Sequence, residues 1–274
     1  MGEAGRKRQR AEERRAELLR DHPWCCFCGG GTLATTIDHV PARICFRRRE
    51  PPEGYEFPAC EECNAAAKRS ELIVGFYIRT FDHDAENLDG QDIHRLVSGV
   101  ANNAPDMLPK RIWPAGEVRR AHRERGLVLE PGQFRDEVPV MQVPPATHPH
   151  FELFSRKLQA ALHYKVTGNI LAPGYGLLTG IDQAGGQTAE YFRARGLEWF
   201  GELVIGARPN VNIGNQFIFR HGYHPNHGFL GTFSEFGRGF TFFGVSVPPD
   251  AVAALPDSGI ATWQSIKEMG SAIA

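Results

Sequence analysis

No run of apolar residues in this chain approaches the ~20 needed to cross a bilayer as a helix. The opening stretch MGEAGRKRQRAEERRAELLRDHP holds no apolar core of the kind a secretory signal requires. Membrane insertion and export are therefore not expected, and the reading is of a cytoplasmic protein with reduced thiols. Gly2 matches only the start of the myristoylation pattern, because Arg6 stands where a small hydroxyl residue is required. A global charge imbalance is also missing. With 31 Lys plus Arg against 32 Asp plus Glu, any surface for nucleic acid has to be local. There is no internal repeat at solenoid periods and no low-complexity tract. RHGYHPNHGF and LAPGYGLLTGIDQAGG contain no nucleophile, phosphate-loop or paired-acid pattern.

What is there is an ordinary globular composition. The 274 residues are 42% hydrophobic and 23% charged, enough for one large domain or two modest ones. Residues 1–23 read as a charged helix, stopped by Asp21, His22 and Pro23. Its Arg6, Lys7, Arg8, Arg10, Arg14 and Arg15 interleave with Glu12, Glu13 and Glu17 at helical spacing, the pattern of a solvated, ion-paired helix. Residues 24–85 carry two cysteine pairs: a hairpin-like segment follows the first, and a helix with apolar Leu72, Ile73, Phe76, Tyr77 and Ile78 follows the second. A helical and Pro-rich connection spans 86–149, with an amphipathic helix over 90–103 and a short strand in the Pro-punctuated 126–149. Residues 150–274 begin with a helix, FELFSRKLQAALHYKVTG. They continue through aromatic strands such as NQFIFRHGY and GFTFFGVSV, so this region reads as an α+β domain with an aromatic-rich antiparallel sheet. Of its histidines, His163 stands in the helix, while His221, His224 and His227 fall in a Gly-, Pro- and Asn-rich stretch that reads as a turn.

Cys25 and Cys28 form one Cys-x-x-Cys knuckle, and Cys60 and Cys63 form a second. Four thiolates satisfy tetrahedral zinc completely and leave no position open for water, which is what a structural site requires. A redox pair would occur once, near a βαβ pattern, and disulfides suit a reducing compartment poorly, so structural Zn2+ is expected. Cys26 could exchange with Cys25, though only Cys25 leaves two residues between the paired sulfurs. Cys45, between Ile44 and Phe46, reads as a small buried hydrophobe.

Between the knuckles stands TTIDHVPARICF, with Asp38 and His39 adjacent and Pro41 two residues beyond. Asn64 directly follows the last cysteine and opens the next helix. Over about residues 24–80 this order, Asp38-His39-x-Pro41 and then Cys60-x-x-Cys63-Asn64, resembles the HNH endonuclease family, a zinc-supported treble-clef or ββα-metal fold. The resemblance implies a DNA endonuclease in which His39 is the general base. It also implies that Asp38 and Asn64 hold a catalytic divalent cation such as Mg2+, distinct from the zinc.

The chemistry asks for those residue types on its own terms. A phosphodiester is anionic and inert; a near-neutral histidine can take a proton from water, and a hard cation on oxygen ligands can neutralise charge on the phosphate and the leaving oxygen. Neighbours on a strand point to opposite faces, so Asp38 and His39 share a site only where the strand ends or bulges. The Asn64 amide reaches that site from the start of a helix, whose N-terminus favours an anion. Arg43, Arg47, Arg48, Arg49 and Lys68 are the candidate phosphate contacts. The chain departs from the family pattern in two ways. Tyr55 and Glu56 stand near the place of its middle asparagine, and Lys68 falls one position late after the last cysteine. The second reading is therefore a zinc-stabilised module that binds nucleic acid or protein without cleaving it.

Overall fold

A computed structural model describes the chain apart from residues 1, 83–89, 113, 125–133, 135–139, 184–190, 192, 195, 196, 199, 202, 207–212, 214, 225, 238, 254–259 and 274. Helix α1 (Glu3–Asp21) ends where the sequence stops it, with His22 N donating to Leu18 O. It touches the body of the protein along one side: Arg15 Nη2 donates to Thr35 O at 3.0 Å, and the Tyr164 hydroxyl bonds His22 Nδ1 at 2.6 Å. The remaining described side chains of α1 are largely solvated.

Strand β1 (Thr36–His39) does not fold back on the first knuckle as a local hairpin. Only an isolated bridge, Trp24 to Leu33, closes that loop. Gly29 and Gly30, at φ 75° and 77°, turn the chain there, and the pairing across the turn goes no further than the bonds from Cys25 N to Thr32 O and from Ala34 N to Pro23 O. β1 pairs instead with β2 (Glu56–Ala59), antiparallel, with Asp38 opposite Phe57 and His39 opposite Glu56. Directly after β2 comes α2 (Glu61–Thr80). Its first turn carries Glu61 and Glu62 and its last turn Arg79, each on the favourable end of the helix dipole. The second half of α2 is buried nearly all round, from Ile73 to Arg79. Gly75 makes room for this: a Cβ there would sit 2.6 Å from Ile44, in the chain that passes over the helix.

Helix α3 (Gly90–Asn103) matches the amphipathic helix read from the sequence and buries Leu96 and Val100. Strand β3 (Lys110–Ile112) and helix α4 (Ala115–Glu124) were not legible in the sequence. β3 pairs antiparallel with β4 (Val140–Gln142), the short strand expected in the Pro-punctuated stretch. Residues 126–133 and 135–139 of that stretch lie outside the described residues.

Helix α5 (His148–Thr167) carries Pro149 in its first turn and is stopped by Gly168, whose φ of 73° is the usual left-handed stop. Apart from Glu152, which is exposed, it is buried from His150 to His163, far more than a surface helix is. One side faces a six-stranded antiparallel sheet ordered β10-β5-β9-β8-β7-β6, from β5 (Gly176–Gln183), β6 (Val204–Ile205), β7 (Ile218–His224), β8 (Phe229–Phe236), β9 (Phe240–Val247) and β10 (Ala261–Thr262). Phe151 and Phe154 meet Phe236, Phe240 and Phe242 there, with ring centroids 5.2–6.5 Å apart. Gln159 links to β8 by accepting from Thr232 Oγ1 at 2.5 Å. The other side of α5 packs on α2, where Ser70 Oγ and His150 Nδ1 are 3.0 Å apart. Short helix α6 (Pro249–Ala253) leads from β9 towards β10, and α7 (Ile266–Ile273) returns to α2. A continuous buried cluster therefore runs from the cysteines through α2 and α5 into the sheet. No helix among the described residues is long and apolar enough to cross a membrane.

The strand expected from NQFIFRHGY is β7, which also takes in His221 and His224 of the stretch read as turn, and residues 226–228 form the turn itself. The glycine that suggested a turn serves packing. Gly222 pairs with Gly231, and a Cβ on either would come within 2.3 Å of Phe200.

His163 illustrates what burial against this sheet costs. It is 2% exposed, bonds Ser246 Oγ at 2.7 Å, and burial lowers its pKa from 6.5 to about 4. A folded-state value below the unfolded one means that unfolding takes up a proton, so this contribution is intact above pH 6.5 and is lost as pH falls towards 4. The loss should amount to roughly 3 kcal/mol. Urea titrations of His163→Gln and wild type should show that the variant's stability is flatter across that window.

Candidate metal centre and adjoining polar cleft

The two knuckles meet. Sγ atoms of Cys25, Cys28, Cys60 and Cys63 all lie within 4.8 Å of one another, and they form the one group of three or more His, Cys, Asp or Glu side chains among the described residues that could hold a metal ion. A tetrahedral zinc with bonds of about 2.3 Å needs sulfurs about 3.8 Å apart, so the set fits with only small adjustment. A hydrogen bond from Cys63 is the main cause holding the Cys25 thiol down to about 5, while the same contact pushes Cys63 up. Desolvation pushes the Cys28 thiol up to about 11, so without an ion Cys25 is the member of the set favoured as thiolate. Cys26 is fully buried outside it, its thiol pushed up by desolvation, and Cys45 is 2% exposed among apolar neighbours.

The cysteine fold also sets the next helix. Cys60 is the N-cap of α2 and its sulfur accepts from Cys63 N at 3.4 Å. Asn64 follows in the first turn, its N–H donating to Cys60 O. Asn64 therefore faces β1 from a fixed position. Asp38, His39 and Asn64 line one open cavity of about 470 Å³, together with Arg43, Arg49, Lys68 and Glu71. β1 ends at His39, which is how two residues adjacent in sequence come to serve the same cavity.

The two neighbours have different surroundings. The His39 side chain is 22% exposed, with Nε2 3.8 Å from Glu56 Oε1. Burial, then the Arg43 charge, lower its pKa below 6.5 against the opposing pull of Glu56 and Asp38, so the ring is neutral at pH 7. Its Nδ1 has no hydrogen-bond partner among the described residues. Asp38 is 7% exposed and is held from behind, because Lys157 Nζ, from the middle of α5, lies 2.5 Å from Asp38 Oδ2 and 2.5 Å from Glu71 Oε1. The same ammonium sits 5.3 Å from the centroid of Phe27 in the first knuckle. Burial alone would strip the lysine of its proton; the two carboxylates reverse that, and its pKa is raised above the ordinary value. Burial pushes Glu71 up, with Lys157 opposing.

Of the candidate phosphate contacts, Arg43, Arg49 and Lys68 line this cavity, and Arg48 turns to a neighbouring one. Arg47 lines neither; its backbone N–H donates to Gln216 Oε1 at 2.7 Å. Lys157 and Glu71 did not stand out in the sequence as site residues. The available signal was a lysine in the midst of a helix whose flanking residues, Phe154, Leu158 and Leu162, are all core. Compared with known proteins, the chain matches no family model, no curated protein and no solved structure.

Two outcomes are expected of the purified protein. Cys60→Ser should lose bound metal and unfold over a broad, low-temperature transition, since ligation and folding are coupled; metal analysis alongside calorimetry checks this. Lys157→Met should leave two buried carboxylates facing each other and reduce stability by about 3–5 kcal/mol, read from denaturant midpoints at constant slope.

Proposed function

We propose that the protein is a metal-dependent endonuclease of the HNH kind, built on a zinc-supported treble-clef module and hydrolysing phosphodiester bonds in DNA. The observation that carries this reading is the convergence of His39 and Asn64 on one open, basic-rimmed cavity beside four clustered cysteines. His39 is the general base. Held neutral by its partial burial, the ring can take a proton from water at pH 7. Arg43, Arg49 and Lys68 hold the phosphate by charge and orient it.

The catalytic cation fits the side chains present. Asp38 and Glu71, with Lys157 between them, carry together one net negative charge when both acids are ionised, and only one Asp38 oxygen is taken by the lysine. A hard cation bound by one or two carboxylates and completed by water needs no more. Asp38 and Asn64 would hold it, and when bound it would neutralise charge building on the phosphate and the leaving oxygen.

The unpartnered Nδ1 of His39 favours a second reading. Nothing among the described residues orients the ring from that side, as expected of a module that binds nucleic acid without cutting it.

A plasmid-nicking assay with Mg2+ or Mn2+ decides between them. Wild type should cleave, and His39→Ala should lose about 10²–10⁴ in rate with unchanged metal content and thermal unfolding. The wild-type rate should rise from acid pH with its midpoint below pH 6.5, because the folded His39 pKa lies under that value and the base is active once deprotonated. Full activity in His39→Ala would sink the base assignment; retained DNA binding without cleavage by wild type would establish the second reading.

A further inference from the structure

A second cavity, of about 480 Å³, lies beside the first and shares Ile44 and Arg49 with it. Four guanidinium groups line it, those of Arg48, Arg49, Arg79 and Arg95, against the single carboxylate of Asp92, so the described lining carries a surplus of three positive charges. These arginines come from three places: the short turn after Phe46, the last turn of α2 and the first half of α3. Asp92 organises the wall. Its Oδ2 accepts from Arg79 Nη1 at 2.9 Å and from Arg48 N at 3.0 Å. Arg79 Nη1 donates in addition to Phe46 O at 2.9 Å.

The other nitrogen of that fork is the informative atom. Arg79 is 4% exposed, and its buried Nη2 has no hydrogen-bond partner among the described residues. A buried charged donor without an acceptor is costly, and native proteins rarely keep one unless something fills the place. Arg49 and Arg95 are exposed at the rim, and their side chains make no ion pair among the described residues. The turn that presents Arg48 and Arg49 is held in the left-handed region at both residues, φ 56° and 57°, a conformation uncommon for side-chain-bearing residues. Bonds from Arg47 N to Gln216 and from Arg48 N to Asp92 fix it there.

We propose that Arg48, Arg49, Arg79 and Arg95 form a subsite for a second phosphodiester of the bound DNA strand, next to the one presented to His39. The assignment rests on the endonuclease reading for its occupant, and on the arginine cavity itself for its chemistry. Guanidinium forks match phosphate oxygens two at a time. The shared wall at Ile44 and Arg49 makes the two cavities one track, so a strand seated at His39 passes the arginines without leaving the surface. Asp92 keeps the fork of Arg79 aimed and lowers the repulsion among four like charges before the strand arrives.

The test uses the full chain and Arg95→Ala, an exposed position whose loss should not affect folding, with matched thermal unfolding as the control. Titration with inorganic phosphate, followed calorimetrically, should show binding that weakens about tenfold in the variant. Binding to a labelled DNA duplex should weaken for all sequences alike, and the slope of log K against log salt should fall by about one. Phosphate binding that responds to Arg95→Ala while the DNA slope does not would overturn the strand subsite in favour of a free phosphate. Phosphate and DNA binding both unchanged in the variant would overturn the subsite and leave His39-dependent cleavage standing. Wild type that takes phosphate but neither binds nor cuts DNA would overturn the nuclease reading and this occupant together.

Discussion

Everything around the cleft depends on one buried ammonium. Lys157 Nζ is the only cation placed between Asp38 and Glu71 among the described residues, and through them α5 is tied to β1 and α2. Two carboxylates this close in a desolvated wall would repel each other and be driven to protonate. The lysine removes that conflict, and they in turn keep it charged despite complete burial. Such a trio is poor evidence of net stability, since a well-packed apolar set could serve as well. What it does provide is position. β1 must bring its acid, α2 its glutamate and α5 its lysine to the same point, so the relative placement of three elements is fixed by charge as well as by packing.

The cysteine cluster has the corresponding role in the neighbouring layer. Because Cys60 is at once a cluster member and the N-cap of α2, the sulfur geometry and the helix start are a single constraint. Asn64, one turn along, inherits its placement from it. Lys157 reaches into the same region and rests against Phe27 of the first knuckle. Loss of metal would therefore loosen both ends of the cleft: the start of α2 carrying Asn64, and the packing against which the Lys157 trio is held.

What the sequence made legible is what depends on local pattern. Cys-x-x-Cys spacing located the cluster, helical periodicity located α1, α2, α3 and α5, and aromatic alternation located most of the sheet. Contacts between distant segments left no such trace. Lys157 and Glu71 are 86 residues apart, and neither stands in a motif. The pairing of β1 with β2 was hidden because the glycines after the first knuckle suggested a hairpin there. Gly222 misled for a related reason, since a glycine that seats an aromatic ring looks in sequence like one that turns the chain. Asp38 and His39 form the mixed case. The sequence placed them side by side, but only the third dimension separates a partly exposed, neutral ring from an acid tethered to a lysine.

That separation arranges the charge around the cleft in two layers. The inner layer holds Asp38 and Glu71 with Lys157; the outer rim holds Arg43, Arg49 and Lys68, with Arg48 and Arg95 on the adjoining cavity. Two naked carboxylates under a phosphate would repel it, and the buried lysine cancels one of them. The positive rim is then offset by one net negative charge in the wall beneath it instead of two. This is how a chain with 31 basic and 32 acidic residues can still be locally basic: its acids at this place are paired inside, and its arginines are left outside.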